Sequence, residues 1–133
     1  MNDPVPQPKW LSFRGVVGIH ARVLAEHGGE PGIHDVGLLE SALARPINRF
    51  MYEGATLPRQ AADYAFALAM NHPFKEKNEL TAFIAAYTFL RINGHDFSAP
   101  PDDVATKVRE LSKGALSEER LTDWISEHTT PFE

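Results

Sequence analysis

The segment HPFKEKNEL, residues 72–80, combines residue types that can act on a hydroxyl and a phosphate. His72 precedes a predicted helix start at Asn78, and a neutral imidazole is a competent general base near neutral pH. The first backbone N–H groups of that helix would favour a bound phosphate. Glu76 is a carboxylate of the kind that holds Mg²⁺ together with phosphate oxygens. Phe74 would be the buried anchor that fixes this loop.

A purely structural explanation of the same segment is also open. A His-Pro-Phe sequence at a helix end is more often a turn with a packed ring than an active site, and Asn78 can be a helix N-cap and nothing more. The other histidines predict no metal site, because His20 and His27 are two turns apart and His34 and His95 lie singly in loops. The chain has neither a nucleophile elbow nor a glycine-rich phosphate loop.

Length and composition indicate a single soluble domain. The chain has 133 residues, of which 43% are hydrophobic and 23% charged, and no apolar run approaches the roughly 20 residues that a membrane span needs. Its first residues lack the basic and apolar regions of a secretory signal, and it contains no cysteine. The formal charge of −5 disfavours nucleic acid as a partner. We therefore expect a cytoplasmic protein without membrane or nucleic-acid contacts.

Hydrophobic spacing predicts an all-α bundle of about six helices. Each segment combines apolar residues at helical spacing with capping or breaking residues at its ends. Ser12, Asp35 and Ser117 are predicted N-caps, and Pro46 is predicted to end the second helix. The fourth segment is apolar on most sides, which predicts a central buried helix. The predicted helices are residues 12–27, 35–45, 58–72, 78–94, 102–114 and 117–128.

Two stretches do not fit a helical pattern. Residues 1–10 contain three prolines and are predicted to form an extended N-terminal arm, which leaves residues 11–133 as the helical domain. Residues 48–57 are irregular and predict a short hairpin or flap. Outside that stretch no alternating pattern indicates a strand.

Two segments, in the same order, resemble the Fic/Doc family. HPFKEKN, followed by TAFIAAYTFLRINGH, is similar to the family signature H-x-F-x-D/N-A/G-N-K-R, which is followed by Thr-Ala and an apolar helix ending in Asn-Gly. Upstream, GGEPGIHDVGLLESALARP resembles the G-G-x-x-G-x-x-D-x-G segment of the Doc (death-on-curing) toxins, and GIHARVLAEHGG resembles their first helix. The likeness covers residues 16–128.

The resemblance implies a fold, an activity and partners. The fold would be a helical bundle around a central buried helix, with residues 50–57 as the flap that docks the target. Doc-type members resemble kinases in outcome, since they use ATP and Mg²⁺ to phosphorylate a translation elongation factor and so inhibit translation. Most Fic relatives transfer a nucleotidyl group. Doc-type toxins are encoded beside an antitoxin, Phd, that silences them.

The resemblance also implies a role for each matching residue. His72 would be the general base toward a hydroxyl of the target, Glu76 the Mg²⁺-binding acid, and Phe74 the core anchor. Asn78 would contact a phosphate at the helix start. The implied nucleotide-binding residues are Phe74, Lys77, Asn78, Glu79 and Leu80.

Residues 76–80 depart from the family signature at every position except Asn78. Glu76 replaces Asp or Asn, Lys77 replaces a small residue, and Glu79 and Leu80 replace a lysine and an arginine. Loss of two charge-assisted contacts of about 1.5–3 kcal/mol each would weaken nucleotide binding or transfer by roughly 10²- to 10⁴-fold. The chain would then be an impaired toxin. The alternatives are a non-catalytic binding protein for an antitoxin or translation target, and a transferase with a changed donor.

Overall fold

The computed structural model describes residues 7–132, and six helices account for most of them. A short antiparallel pair of strands joins residues near the ends of α4 and α6, with His95 opposite Pro131. No helix in this part of the chain is long and apolar enough to cross a membrane. Six helices and two strands of three residues each confirm the predicted all-α class. The elements are α1 Phe13–His27, α2 Val36–Glu53, α3 Leu57–Asn71, α4 Asn78–Ile92, β1 His95–Phe97, α5 Pro101–Ser112, α6 Glu118–Glu127 and β2 Thr129–Pro131.

The core lies between α3 and α4. Helix α3 packs against α2, α4 and α6, while α4 also contacts α1, α5 and β1. Alanines at helical spacing on α3 are fully buried and let the neighbouring helices approach closely, and the Tyr64 and Phe89 rings pack 5.1 Å apart between α3 and α4. The predicted central buried helix is confirmed as α4, and it shares the centre with α3.

Local capping signals are confirmed at three of the helix starts. The side chains of Ser12, Asp35 and Ser117 each accept a backbone N–H from the first turn of the helix that follows. The predicted cap at Asn78 is wrong. Lys77 occupies the N-cap position of α4 in a left-handed conformation, and Asn78 is the first helical residue.

Helix α2 is longer than the sequence predicts. It continues through the buried Pro46 to Glu53 and ends at Gly54, which adopts a left-handed φ of 62°. A proline removes one backbone N–H, and the helix nevertheless continues to Arg49, whose Nε donates to both carboxylate oxygens of Asp63 on α3. The predicted hairpin or flap at residues 48–57 is therefore wrong for residues 48–53, which are helical.

The remaining differences concern short segments. The strands β1 and β2 were not predicted, because three residues are too few to show an alternating pattern. Most of the predicted arm, residues 1–6, lies outside the described residues. Residues 7–12 have no regular secondary structure, and Trp10 among them stacks on Phe89 with the ring centroids 5.9 Å apart.

Candidate functional site

The loop between α3 and α4 begins and ends with a left-handed residue. His72, at the C-terminal end of α3, has φ 48° and ψ 56°, and Lys77, at the start of α4, has φ 64° and ψ 33°. Among the non-glycine residues of the described part of the chain, these two alone have positive φ. Such conformations cost free energy for residues with a Cβ atom and concentrate at functional sites. The structure thus places its backbone strain on the segment that the sequence singled out.

Phe74 anchors this loop against α1. Its side chain is buried, as predicted, and its ring stacks on that of His20 with centroids 3.9 Å apart and planes inclined by 6°. The His20 Nε2 also lies 2.9 Å from the backbone oxygen of Glu76. A carbonyl oxygen can only accept, so His20 carries a hydrogen on Nε2 and donates it. The stacked, buried imidazole therefore ties α1 to both ends of the loop segment 74–76.

Sequence reasoning missed His20 as part of the site. From the sequence this residue is considered only as a metal ligand with His27, whereas the structure buries it on α1 together with Val16 and Val23. The signal that could have identified it is a buried imidazole among aliphatic residues, since such a group needs a hydrogen-bond partner.

Asn78 closes the loop from its other end. Its Oδ1 accepts the Phe74 backbone N–H, and its Nδ2 donates to the Phe74 backbone oxygen, both at 2.9 Å. The residue is buried, and both ends of the amide group are engaged. Asn78 therefore holds the loop in position. The phosphate contact that the resemblance implies for this residue stays a prediction.

The loop at residues 28–35 packs alongside the site and holds Glu76. The Pro73 backbone oxygen accepts N–H groups from this loop, and Glu76 Oε2 accepts the backbone N–H of Glu30 at 2.9 Å. Gly29 makes room for that carboxylate, because a Cβ atom at residue 29 would lie 2.7 Å from Glu76 Oε2. The φ of Gly29 is 128°, which residues with a Cβ atom rarely adopt. The two segments that carry the family resemblance thus form one structural unit.

Glu76 has one carboxylate oxygen beyond its contact with Glu30. Within residues 7–132, no group of three or more His, Cys, Asp or Glu side chains is arranged to hold a metal ion. Mg²⁺ is usually bound by one or two carboxylates together with substrate phosphates. The metal-binding role that the resemblance implies for Glu76 stays a prediction, and it requires that a phosphate supplies further ligands.

The structure brings the His72 side chain next to the first turn of α4. Its imidazole is 57% exposed, and its Nε2 lies 3.8 Å from Oε1 of Glu79. Glu79 also lines an open depression of about 330 Å³ between α4 and α5, together with Lys77 and Leu80. The predicted base thus lies beside the predicted phosphate-contacting segment, and the carboxylate of Glu79 in that segment faces the imidazole.

Comparisons with known proteins agree on one family. Residues 10–90 match the model of the Fic/DOC family. The chain is 32% identical over 110 residues to protein kinase doc of Escherichia phage P1, which covers 82% of this chain and 83% of that protein. It is 42% identical over 78 residues to toxin Doc of Mycolicibacterium smegmatis, which covers 56% of this chain and 59% of that toxin.

The fold is also similar to a solved Fic domain. The match is the N-terminal Fic domain of a VirB-translocated Bep effector protein from Bartonella quintana, solved with bound ADP, with a TM-score of 0.50 and 18% identity. It covers 73% of this chain and 48% of that chain, so this protein spans about half of that structure. At this level of identity the match concerns the fold.

Proposed function

Because this chain belongs to the Fic/DOC family, we propose that it is a Doc-type toxin whose transferase chemistry is centred on His72. The proposed donor is ATP, the acceptor is a hydroxyl of a translation elongation factor, and a Phd-like antitoxin silences the activity. The observation that carries this proposal is the exposed His72 imidazole beside the first turn of α4, 3.8 Å from Glu79. The loop between them is fixed by buried contacts from two directions.

In the proposed reaction, His72 accepts the proton of the target hydroxyl while that oxygen attacks the terminal phosphorus of ATP. The bond to the bridging oxygen breaks, and ADP leaves with the bonding electrons. A positioned general base contributes typically about 10²- to 10⁴-fold. Exposure of His72 suits this role, because the acceptor is a side chain on the surface of another protein. Mg²⁺ bound with ATP would neutralise phosphate charge, and Glu76 is the ligand that this chain offers.

We expect the activity of the chain to be weak. Glu79 places a negative charge beside His72 and in the depression where phosphates would lie, and Leu80 contributes no charge there. Both residues replace cations of the family signature. The residues at the start of α4 therefore contribute less to the binding of phosphate, while the loop that carries His72 is intact.

A second candidate function is a non-catalytic binding protein with the same fold. It is favoured by the engagement of Glu76 and Asn78, whose side chains are bonded to the backbone of Glu30 and Phe74. Those residues then serve to maintain the loop and not to bind a substrate. A transferase with a changed donor is the third possibility, in which Lys77 supplies part of the missing charge.

Restoring the family residues tests the proposed function. The variant with Glu76→Asp, Lys77→Gly, Glu79→Lys and Leu80→Arg should arrest growth and transfer labelled phosphate from ATP to a translation elongation factor. The original chain should do so weakly or not at all. Co-expression of the antitoxin should relieve the arrest. The restored lysine and arginine are expected to matter most, because they return positive charge to the start of α4.

The control is the same restored variant with His72→Ala. It should lose about 10²- to 10⁴-fold of the gained transfer rate, because the target hydroxyl has no base. A restored variant that folds but transfers nothing to any translation factor would rule out the proposed mechanism. It would leave the binding protein as the better explanation.

A further inference from the structure

The contact between α2 and α3 ends beside His72. Midway along it, the Arg45 guanidinium lies 5.5 Å from the centre of the Phe66 ring. Nearer the start of α2, Asn71 Nδ2 donates to the backbone oxygen of Leu38 at 3.0 Å, so the two helices run antiparallel. Asn71 is the last residue of α3, and His72 follows it directly. Leu38 therefore lies level with the end of α3 that carries the proposed base.

Apolar side chains at this end of the contact are exposed. Leu38 on α2 and Met70 on α3 are each more than a third exposed, although Leu39 and Ala69 beside them are fully buried. The bond from Asn71, the neighbour of Met70, to Leu38 keeps the two positions together. Grouped apolar side chains on a surface are typical of sites that contact other molecules. We call Leu38 and Met70 the α2–α3 apolar edge.

The two sides of His72 differ in character. On the side of α4, its Nε2 lies 3.8 Å from Glu79 Oε1, and Glu79 lines an open depression together with Arg109 and Lys113. On the side of α2 and α3, the exposed residues are those of the apolar edge. In an in-line transfer the attacking and leaving oxygens lie on opposite sides of the phosphorus. A donor on the charged side therefore leaves the apolar side to the acceptor.

The segment 50–57, which the resemblance implies as the docking flap, lies at the other end of α3. That helix begins at Leu57 and ends at Asn71, and its 15 residues span about 22 Å. An acceptor hydroxyl must come within hydrogen-bond reach of its base. A contact at residues 50–57 is thus remote from the hydroxyl on which His72 acts, whereas the α2–α3 apolar edge adjoins it.

We propose that the α2–α3 apolar edge is the surface on which the target protein docks the segment that carries its acceptor hydroxyl. The identity of that target as a translation elongation factor rests on the proposed function. The chemistry of the edge selects a segment with an apolar side chain close to the hydroxyl in sequence. Burial of that side chain against Leu38 and Met70 supplies binding free energy and aligns the hydroxyl with His72.

Steady-state kinetics of the restored variant, with a purified translation elongation factor as acceptor, tests the proposal. Adding Leu38→Gln and Met70→Gln should raise the KM for the factor about tenfold and change kcat less than about twofold, because the lost contacts serve binding and not the chemical step. The KM for ATP should stay the same. The matched control is Met51→Gln with Tyr52→Gln, which removes two exposed apolar side chains from the segment 50–57 and should leave the KM for the factor within about twofold.

Methionine oxidation gives a second measurement, on the chain with its own residues. Met51 and Met70 are both exposed, so dilute hydrogen peroxide should oxidise both in the free chain. Saturation with the elongation factor should slow the oxidation of Met70 by about threefold or more and leave that of Met51 unchanged. Mass spectrometry of the two peptides measures each rate.

The outcomes separate this proposal from the proposed function. Protection of Met51 and not of Met70, or a KM for the factor that responds only to the Met51 and Tyr52 substitutions, would overturn the docking surface and leave the transferase proposal standing. A complex that protects neither methionine, or no binding of the factor at about 100 μM, would also overturn it. Protection of Met70 without any phosphate transfer by the restored variant would support the docking surface and count against the transferase mechanism. Circular dichroism confirms that each variant is folded.

Discussion

At the scale of single residues, the site combines two strained positions with buried contacts that hold them. His72 and Lys77 are left-handed, a conformation that costs of order 1–3 kcal/mol for each non-glycine residue. The cost is offset by the Phe74 ring stacked on His20 and by the two hydrogen bonds between Phe74 and Asn78. These contacts hold the loop, so the proposed base at its first residue has a defined position.

His20 should contribute to the loop through its N–H group as well as through its ring. His20→Phe keeps a stacked ring on Phe74 but removes the donor to the Glu76 carbonyl. The free energy of unfolding should therefore fall by about 0.5–1.5 kcal/mol. His20→Ala removes both contacts and should cost about 2–4 kcal/mol. Urea denaturation measures both values.

Amide hydrogen exchange distinguishes a local role of His20 from a general one. In His20→Phe, the backbone amides of residues 74–78 should exchange faster, while those of α3 should change no more than global stability requires. His20→Gln, which restores a donor without the ring, is the matched variant for the hydrogen bond. Unchanged exchange in the loop of His20→Phe would contradict this role.

At the scale of elements, the helix boundaries that depend on local contacts can be predicted from the sequence. Those that depend on tertiary contacts cannot. Ser12, Asp35 and Ser117 cap their helices because a side-chain oxygen reaches an N–H within the same turn. Helix α2 continues past Pro46, which is buried in the core, and the following turn contacts another helix through the bond from Arg49 to Asp63. No pattern within the α2 segment contains that information.

The candidate site shows the same division. His72 and Phe74 are contiguous with the family signature, so the sequence identified them and their position at the end of α3. His20 lies about 50 residues earlier in the chain and appears in the sequence as one histidine of an amphipathic helix. Only the packing of α1 against the loop brings its ring onto Phe74 and its Nε2 to the Glu76 carbonyl.

The start of α4 should become more stable when its left-handed residue is glycine. Lys77→Gly removes the strain of a φ of 64° on a residue with a Cβ atom. We expect the free energy of unfolding to rise by about 0.5–1 kcal/mol, after the greater entropy of glycine in the unfolded chain is included. Lys75→Gly is the matched control, because Lys75 is not among the residues with positive φ. Lys75→Gly should lower the free energy of unfolding by about 0.5–1 kcal/mol instead. Equal effects of the two substitutions in thermal denaturation would show that Lys77 is unstrained.

At the scale of the whole molecule, a buried ionic cluster joins α2, α3 and α6. Asp63 on α3 has no solvent exposure and accepts two hydrogen bonds from Arg49, while Arg45 lies 3.6 Å from the same carboxylate. Glu118, the first residue of α6, pairs with both arginines. Removing one member of such a cluster leaves an uncompensated buried charge. The cluster therefore links α2, α3 and α6 through side chains of opposite charge.

The two carboxylates of this cluster have pKa values that shift in opposite directions. Burial, together with the contact to Glu118, raises the pKa of Asp63 to about 7, although Arg49 works against that shift. Burial opposes ionisation of Glu118 as well, but the contact with Asp63 and the charges of Arg45 and Arg49 lower the pKa of Glu118. We therefore expect the pair to retain one proton at mildly acidic pH, with Asp63 as the residue that holds it.

Stability should consequently fall as pH rises from 5 to 8. A carboxyl whose pKa is higher in the folded than in the unfolded state stabilises the protein fully below the unfolded pKa, and this contribution is lost as pH rises through about 7. We expect a loss of roughly 1–3 kcal/mol across this range. Glu118 acts in the opposite sense, but its contribution is lost only in more acidic solution. Urea denaturation at each pH should give a clearly smaller slope of stability against pH for Asp63→Asn, which cannot titrate. If the two proteins show the same slope between pH 5 and 8, the proton is not held on Asp63, and the cluster is a fully ionised network at every pH in that range.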